Sequence, residues 1–557
     1  MAPRGGAGRR RHRPRLRGVL LAHHEPAGLG GLRVGAAGRL RRWVPPRAAR
    51  PAGGPAAHLP GPARRGVPGC RADRYRPGAG PVTGDRPSAA DPVTVDVVVV
   101  GSGLAGLAAA TDLVAAGRRV QVVEALDRVG GRTVSHHRYG QALDAGGAYV
   151  GTRHTRVRDL AARFGLTLTP TAAAGATLVD LGAGPLRSDG TRPAFNALAV
   201  GDLLDRLDDL AATVPPADPG AAPGAAGWDR LTVAAWAART LTHPDARLLL
   251  DLLVRQMLAA DPAEVGLLHL LFYLASGGGT HYLTAFAGGA QQDRFTGGAQ
   301  SLADRMAAAL PRPVRLGTPV TDLYPDQSGT GTGRGLVRVV GPGLVVRCAQ
   351  VVVAVPPGPA TRIRLRLPGV SPPPGPPRTR GAAVKLHLVY ERPFWTDAGL
   401  SGWVTAGTGP LRYVVDDSAG RDGLGVLVGF VTGPDARQYA ALSAAARRAA
   451  VLDRLAGWFG PAARTPLALL DRDWQAEPTV EGCYAAVPEP GWWTTEGPPW
   501  SPAAPDRPVT TVGPVHWAGT ERSPLFYGHL EGAVRSGQEA ARRILAAGPP
   551  APRRDAR

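Results

Sequence analysis

The 557-residue chain is long enough for two or three domains, and its 44% hydrophobic and 20% charged residues are typical of a globular protein with a large core. Its three cysteines, Cys70, Cys348 and Cys483, are too few for a disulfide framework and fit a reducing compartment. No apolar run reaches the roughly 20 residues that a membrane helix needs. We therefore expect no membrane anchor and a cytoplasmic location.

The net charge of +21 is concentrated at the N-terminus. Residues 1–91 hold 19 Arg and four acidic residues, a net charge of +15, which leaves +6 for residues 92–557. Because this segment is rich in Pro and Gly and lacks apolar periodicity, we expect it to be disordered, like residues 548–557. A non-functional or wrongly assigned upstream extension is the favoured interpretation. A basic arm for nucleic acid or an anionic surface, and a targeting leader, are the alternatives.

A dinucleotide-binding pattern follows the basic segment. Val95–Val100 is nearly all apolar, as in a strand buried on both faces. A glycine-rich turn, a helix to Ala116 and a second strand ending in Glu124 come next. The turn glycines allow a sharp bend, close approach of a pyrophosphate and packing of helix on strand, while Glu124 can accept from a ribose hydroxyl. The pattern predicts a Rossmann-like fold with these residues in the turn: Gly101, Ser102, Gly103 and Gly106.

The residues after Glu124 indicate which dinucleotide binds. Residues 125–133 read Ala-Leu-Asp-Arg-Val-Gly-Gly-Arg-Thr. This resembles the extension in flavoproteins of the glutathione-reductase-like and amine oxidase class, where the Gly pair and the Arg lie along the FAD pyrophosphate and the flavin. NAD enzymes do not usually carry it. The resemblance therefore favours FAD as the cofactor and adds Ala125, Gly131 and Arg132 to the candidate ligands.

Five further motifs, in order, resemble the flavin-containing monoamine oxidase family over roughly residues 92–546. They are Asp144–Gly151 (D-x-G-G-x-Y-x-G), Arg294–Gln300, Val314–Val320, Val351–Pro357 and Trp517–Val534. The resemblance implies that one group of residues lies beside the isoalloxazine: Gly147, Ala148 and Tyr149. It places Val320 at the adenine. It also implies that four residues close the flavin site: Gly519, Thr520, Glu521 and Leu530.

The family resemblance also implies a fold class. We expect an α/β protein, with a Rossmann-like, glutathione-reductase-like FAD-binding domain and an interleaved α+β substrate domain. The FAD-binding domain would comprise residues 92–168, 296–374 and 477–547, and the substrate-binding domain residues 169–295 and 375–476. Strands near Lys385–Tyr390 and Val426–Phe430 would form the floor of a substrate cavity. Gln291 and Phe430 are the candidate substrate contacts.

Lysine occurs once in the chain, at Lys385, against 64 arginines. A compact ammonium with rotatable donors is not equivalent to a planar guanidinium. Taken alone, chance survival at a surface strand position would explain it. Residues 381–395, however, resemble the family segment that carries the flavin-site lysine. The resemblance implies that Lys385 holds a water at flavin N5 and that its charge favours electron transfer to O₂.

The other side of the site is implied by Trp474 and by residues 480–484, Val-Glu-Gly-Cys-Tyr. In the family, the cysteine matching Cys483 is linked to the flavin 8α-methyl group, and the tyrosine matching Tyr484 is one wall of an aromatic cage. The alternative for Cys483 is a buried, unreacted thiol, so the covalent link is left open. The chain departs from the family at His529, which stands in the place of the second cage tyrosine. A neutral imidazole would still form a flat wall, whereas a protonated one would repel an ammonium.

The resemblance implies FAD-dependent oxidation of an amine, at a CH–NH₂ group, with O₂ as acceptor. The neutral amine would lie between Tyr484 and His529, and cleavage of its α C–H bond would give an imine that water hydrolyses to an aldehyde. O₂ would reoxidise the flavin to give H₂O₂. No Arg stands next to Tyr149 where related L-amino-acid oxidases bind a carboxylate, although Arg153 is close, which weighs modestly against an amino acid.

The expected partners are therefore a small-molecule amine and O₂, without nucleic acid or a metal ion, and a homodimer is left open. Two alternatives remain at this point. One is an FAD-dependent desaturase or oxidase of a non-amine substrate, such as protoporphyrinogen. The other is a low-turnover flavoprotein scaffold that binds a partner.

Overall fold

The computed structural model describes residues 93–171, 174–188, 195–326, 336–368, 370, 379–500 and 511–548. The predicted N-terminal extension and nearly all of the predicted C-terminal tail lie outside these residues. Within the described part of the chain, no helix is both long enough and apolar enough to cross a membrane.

Strands of two to ten residues make up five sheets in the described residues. In chain order they are β1 (Val93–Val100), β2 (Val120–Val123), β3 (Ser135–Arg138), β4 (Gln141–Asp144), β5 (Tyr149–Val150), β6 (Leu168–Pro170), β7 (Ala176–Asp180), β8 (Pro185–Ser188), β9 (Asp293–Phe295), β10 (Asp322–Pro325), β11 (Val337–Gly341), β12 (Leu344–Val353), β13 (Arg364–Leu365), β14 (Thr379–Arg380), β15 (Ala383–Tyr390), β16 (Leu400–Ala406), β17 (Tyr413–Asp416), β18 (Gly425–Thr432), β19 (Ala468–Asp473), β20 (Ala486–Val487), β21 (Thr511–Val512) and β22 (Val515–Trp517).

The α-helices pack on the two larger sheets and also form a separate helical layer. In chain order they are α1 (Leu104–Ala115), α2 (Thr155–Arg163), α3 (Ala197–Ala212), α4 (Ala225–Arg230), α5 (Val233–Thr240), α6 (Pro244–Leu258), α7 (Leu267–Gly277), α8 (Thr280–Thr284), α9 (Gln300–Ala308), α10 (Pro357–Ala360), α11 (Pro434–Ala441), α12 (Ala444–Phe459), α13 (Trp492–Thr495) and α14 (Leu530–Ala546).

The first large sheet contains the predicted dinucleotide-binding strands. Its strand order is β13-β10-β11-β12-β1-β2, with β22 also paired to β12. The pairs of β1 with β2, of β1 with β12 and of β12 with β22 are parallel. The valines of β1 from Val97 to Val100 are all buried, since α1 and α14 cover one face of the sheet. Buried parallel strands require such continuous apolar runs.

The second large sheet is built from different parts of the chain. Its order is β19-β15-β18-β17-β16-β7-β8, and its pairs are antiparallel except β16 with β7. Strand β15 is buried along its whole length, because α11 and α12 pack on one face and the lysine-bearing face turns towards the first sheet's loops. The register of β15 with β18 places Lys385 opposite Phe430.

A helical layer completes the described structure. Helices α3 to α8 share one apolar core with the buried aromatic side chains of Trp493, Trp500 and Tyr527. Helix α7 is buried on all sides, which explains its apolar sequence from Leu267 to Leu274.

We expect the core of the second sheet to be intolerant of cavities. The Leu388→Ala variant removes a side chain with no solvent exposure from β15. It should lower the free energy of unfolding by about 2–5 kcal/mol, seen as a lower midpoint in thermal or urea unfolding. The matched variant Leu198→Ala, at a position that is 85% exposed, should leave the midpoint unchanged. Equal effects of the two changes would contradict this assignment of the core.

Candidate active site

The glycine-rich turn between β1 and α1 has the shape that the sequence predicts. Gly101 has φ of +100°, and a Cβ there would lie 2.6 Å from the Ala354 carbonyl oxygen. A Cβ on Gly106 would lie 2.0 Å from the Gly101 carbonyl oxygen, so the helix packs directly on the turn. At Gly103 the nearest atom to an added Cβ is 4.0 Å away. The turn is therefore closed on its inner side and open at Gly103, where a pyrophosphate would approach.

Glu124 ties this turn to the end of β2. Its buried carboxylate accepts hydrogen bonds from the Ser102 backbone N–H at 2.7 Å, the Ser102 hydroxyl at 2.8 Å and the Leu126 N–H at 3.0 Å. A carboxylate has about four lone-pair sites, so one remains for a ribose hydroxyl. Val320 follows two residues after Thr318, which donates its N–H to the Glu124 carbonyl oxygen at 2.7 Å. Ala125 continues the chain from the same strand end.

Arg132 joins three distant segments of the chain. Its guanidinium makes two hydrogen bonds to the Glu521 carboxylate, at 2.6 and 2.9 Å, and one to the Tyr484 carbonyl oxygen at 2.9 Å. Burial alone would lower the pKa of Arg132, but the Glu521 charge outweighs it and raises that pKa; the Glu521 pKa is lowered in return. Both groups are therefore charged. A cavity of about 30 Å³ lies beside them, lined in part by Gly482 and Ala485.

Two glycines fit the backbone closely around Arg132. A Cβ added at Gly131 would lie 3.4 Å from the Gly103 Cα, in van der Waals contact. Gly147 donates its N–H to the Arg132 carbonyl oxygen at 3.1 Å, and a Cβ on it would meet the Leu530 side chain at 3.1 Å. Ala148 is buried next to it. The segment predicted to lie beside the flavin thus packs against the start of α14.

The segment Gly519–Glu521 closes this region from the C-terminal side. Gly519 donates its N–H to the Ser536 hydroxyl at 3.1 Å, and the Thr520 hydroxyl donates to the His529 carbonyl oxygen at 3.0 Å. These bonds fix the segment against the N-terminus of α14.

Lys385 is buried in the centre of β15, which excludes a surface position for it. Its ammonium donates to the Gly146 carbonyl oxygen at 3.0 Å and lies 5.8 Å from the centre of the Tyr149 ring and 5.5 Å from that of Phe430. Cation–π contacts of this kind stabilise a charge in an apolar site. Burial lowers the pKa of Lys385, against the opposing effect of Asp144.

Trp474, Cys483 and Tyr484 pack in one cluster with Ala383, which lies two residues before Lys385 on the same face of β15. The Trp474 indole donates to the Ala145 carbonyl oxygen at 2.8 Å, and the Cys483 N–H donates to the Gly381 carbonyl oxygen at 2.8 Å. Burial raises the pKa of the Cys483 thiol to about 12, although Arg132 and Lys385 act to lower it. Free Cys483 is therefore a neutral thiol in this environment.

His529 precedes α14 and lies against an aromatic residue that the sequence reasoning missed. Its Nδ1 lies 3.0 Å from the Tyr527 carbonyl oxygen, and its ring stacks on Tyr273 of α7 with the ring centres 5.7 Å apart. A carbonyl only accepts, so Nδ1 carries the proton. Burial lowers the pKa of His529, which favours the neutral ring with a free lone pair on Nε2.

Tyr273 contributes to the surroundings of Tyr484 as well. Burial raises the pKa of Tyr484 well above its usual range, and the hydroxyls of Tyr273 and Tyr413 add to that effect. The three phenols are therefore neutral neighbours. A tyrosine in a mostly apolar helix was the available signal for Tyr273, but the direction of its side chain depends on the packing of α7.

The remaining wall is aromatic and mostly apolar. Tyr413 faces Phe430 with ring centres 6.1 Å apart, and Phe286 lies 4.2 Å from Trp403 and 5.9 Å from Tyr149. Gln291 follows five residues after Phe286 in the sequence. Its Nε2 donates to the Leu283 carbonyl oxygen at 3.1 Å. Its buried Oε1 has no partner among the described residues.

These features define a class of protein: a dinucleotide-binding sheet whose open glycine turn leads to a buried lysine and an aromatic wall on a second sheet. Residues 104–545 match the protein family described as "Flavin containing amine oxidoreductase". The chain belongs to this family, which confirms the predicted resemblance and implies FAD as cofactor.

Individual relatives match over most of the chain. "Probable flavin-containing monoamine oxidase A" of Dictyostelium discoideum is 31% identical over 464 residues, covering 81% of this chain and 97% of that protein. An L-amino acid dehydrogenase of Synechocystis is 30% identical, covering 81% and 94%. A putrescine oxidase solved with putrescine bound superimposes with a TM-score of 0.73 at 32% identity, covering 82% and 99%. The predicted fold class is confirmed by this likeness.

We expect the contact between Gly106 and Gly101 to be required for cofactor binding. The Gly106→Ala variant should displace the turn and lose most of the bound flavin, measured as the ratio of flavin to protein absorbance after purification. Gly227→Ala adds the same methyl group where nothing lies within 4 Å, and it should retain the flavin. Full flavin content in Gly106→Ala would show that the turn does not hold the cofactor.

Proposed function

We propose that this protein is an FAD-dependent oxidase that converts a small-molecule amine to an imine, which water hydrolyses to an aldehyde and ammonia, and that it reduces O₂ to H₂O₂. The observation that supports it most is the position of Lys385. Its ammonium is buried between the rings of Tyr149 and Phe430, on the face of β15 that packs on the cluster holding Cys483 and Tyr484. A fixed cation at this place suits the transfer of electrons to O₂.

The described residues fit FAD, because the turn is open at Gly103 and Glu124 keeps acceptor capacity. The bound cofactor would accept two electrons from the substrate and pass them to O₂. At the nucleotide end we assign its binding to Gly101, Ser102, Gly103, Gly106, Glu124, Ala125 and Val320. At the flavin end we assign it to Gly131, Arg132, Gly147, Ala148, Tyr149, Trp474, Cys483, Gly519, Thr520, Glu521 and Leu530.

The two large sheets suggest the division of labour between domains. Strands of the first sheet come from residues 93–123, 322–365 and 511–517, and those of the second from residues 176–188, 383–432 and 468–473. We propose that the first group belongs to the FAD-binding domain and the second to the substrate-binding domain. The boundaries expected from the sequence are consistent with this division.

We propose that Tyr484 and His529 orient the substrate amine, with Tyr273 supporting the His529 ring. A neutral imidazole suits this role, because a second positive charge would oppose a cationic substrate. Burial keeps His529 neutral, and the hydrogen bond from Nδ1 fixes the ring plane. The deprotonated amine required for oxidation would then meet uncharged groups on both sides.

The charges around the aromatic wall favour a monoamine with an apolar remainder. Asp417 is paired with Arg294 at 2.7 Å and also with Arg421, so both of its oxygens face guanidinium groups. The Arg153 guanidinium lies over the Tyr282 ring, 4.5 Å from its centre, and points to the Gly278 carbonyl oxygen. Neither group is placed to select a distal ammonium or a carboxylate.

The proposal predicts that an apolar primary amine reduces the bound flavin. In anaerobic mixing, benzylamine should bleach the flavin absorbance faster than putrescine or L-phenylalanine, and air should restore the colour with release of H₂O₂. The same protein should not be reduced by protoporphyrinogen. If no amine bleaches the flavin, the proposed function is wrong; bleaching by protoporphyrinogen alone would instead support a non-amine oxidase.

We further propose that Cys483 is the attachment point for the flavin 8α-methyl group. Acid precipitation of the purified protein should then leave the yellow colour in the pellet, and the Cys483→Ala variant should release it to the supernatant. Cys348→Ala, the same change at a buried thiol in the first sheet, is the matched control and should keep the colour in the pellet. Colour in the supernatant of the wild-type protein would rule out the link.

A further inference from the structure

Asp144 lies at the end of β4, directly before the backbone that contacts Lys385. It is 3% exposed, and its Oδ1 accepts hydrogen bonds from the Ser135 hydroxyl at 2.6 Å and the Ala299 N–H at 2.8 Å. Its Oδ2 is buried and has no hydrogen-bond partner among the described residues. A buried carboxylate oxygen without a partner is costly unless a nearby positive charge compensates it.

Lys385 is the positive charge with the largest influence on this carboxylate. Two residues after Asp144, the Gly146 carbonyl oxygen accepts one of the three N–H donors of Lys385 at 3.0 Å. Gly146 is packed closely on its other side, because a Cβ there would lie 2.2 Å from the Arg132 carbonyl oxygen. The position of the ammonium relative to Asp144 is therefore fixed by a short, rigid stretch of chain.

Each of the two groups affects the other's ionisation in the direction expected for opposite charges. Burial lowers the pKa of Lys385, and Asp144 is the largest influence that raises it. Burial raises the pKa of Asp144, and Lys385 is the largest influence that lowers it. No direct ion pair between the two is seen among the described residues; each acts on the other's ionisation as an opposite charge would, and the Gly146 carbonyl oxygen, two residues after Asp144, accepts from the ammonium.

The other charged or titratable groups around Lys385 do not replace Asp144. Asp417 also raises the pKa of Lys385, less than Asp144 does, but it is paired with Arg294 and Arg421, and the Arg421 charge lowers that pKa. The Cys483 thiol is neutral because burial raises its pKa to about 12. Burial holds two further neighbours neutral, because it raises the pKa of Tyr149 and lowers the pKa of His387.

We propose that Asp144 is a positioning residue that keeps Lys385 protonated in the protein interior, so that one buried carboxylate maintains the positive charge at the candidate flavin site. The pair itself rests on the geometry of β4 and β15. Only its consequence for O₂ rests on the proposed function.

The single lysine allows a direct test. Holoenzyme labelled biosynthetically with [¹³Cε]lysine, without lysine in any purification tag, gives one ε-methylene signal, and its chemical shift against pH reports the pKa of Lys385. The Asp144→Asn variant keeps the acceptor oxygen for Ser135 and Ala299 but removes the charge. Its titration midpoint should fall by about one pH unit or more. An unchanged midpoint in Asp144→Asn would overturn the proposal.

Two matched variants separate charge from packing. Asp180→Asn makes the same change in a buried aspartate of β7 that accepts from the Trp458 indole and is not among the groups that act on Lys385. Ser135→Ala removes a hydrogen bond from Asp144 and leaves its charge. Both should retain a midpoint close to that of the wild type. A shift in Asp180→Asn as large as in Asp144→Asn would contradict a specific pair.

A reciprocal variant covers the case in which Asp144→Asn does not fold. Linkage requires that loss of the lysine charge raise the pKa of Asp144. Lys385→Met holoenzyme should therefore show the infrared C=O stretch of a protonated carboxylic acid near neutral pH, which the wild type lacks. Its absence from Lys385→Met would overturn the proposal.

The consequence for oxygen is measured separately. Reduced Asp144→Asn enzyme should be reoxidised by O₂ more slowly than the wild type at pH values where its Lys385 signal is that of the neutral amine, and at the wild-type rate where it is charged. A shifted lysine titration with unchanged reoxidation at every pH would support the pair but refute the role of Lys385 in the proposed function. If no amine reduced the flavin, the proposed function would be wrong, but the lysine titration would still test the pair of Asp144 and Lys385.

Discussion

The buried ion pair between Arg132 and Glu521 is the contact on which the arrangement of the candidate site depends. It joins the loop after β2 to the segment before α14, and a third bond from Arg132 holds the carbonyl of Tyr484. The loop that contains Arg132 is thus fixed at one point to two segments that lie 352 and 389 positions further along the chain. Removal of either charge would leave the other buried and uncompensated, which is far more costly than loss of the pair's net attraction.

Much of the fold follows from local rules that are visible in the sequence. The valine run of β1, the glycines of the turn and the acid after β2 are required by steric and electrostatic constraints within about 30 residues, so their structure was predicted correctly. The later motifs were placed only through resemblance to a family. Their spacing does not reveal that β22 pairs with β12, because pairing across some 160 residues leaves no local pattern.

The site was predicted less completely for the same reason. Lys385 was singled out by its rarity, but its burial and its contact with Gly146 depend on where β15 packs. Tyr273 and Tyr413 were not singled out by the sequence, and Asp144 entered only as the first residue of a family motif. Tyrosine in a mostly apolar helix and aspartate at a strand end are common, and only the assembled structure shows which groups these side chains adjoin.

The pairing of β1 also bears on how the chain is made. Its neighbours in the first sheet are β2, which follows at once, and β12, whose other partner β22 begins at Val515. Helix α1 packs on α14, so closely that a Cβ on Gly537 would lie 2.0 Å from the Ala105 carbonyl oxygen. The nucleotide-binding half is therefore complete only after β22 and α14 have been synthesised. The strands of the second sheet all lie before residue 474, so they are synthesised earlier.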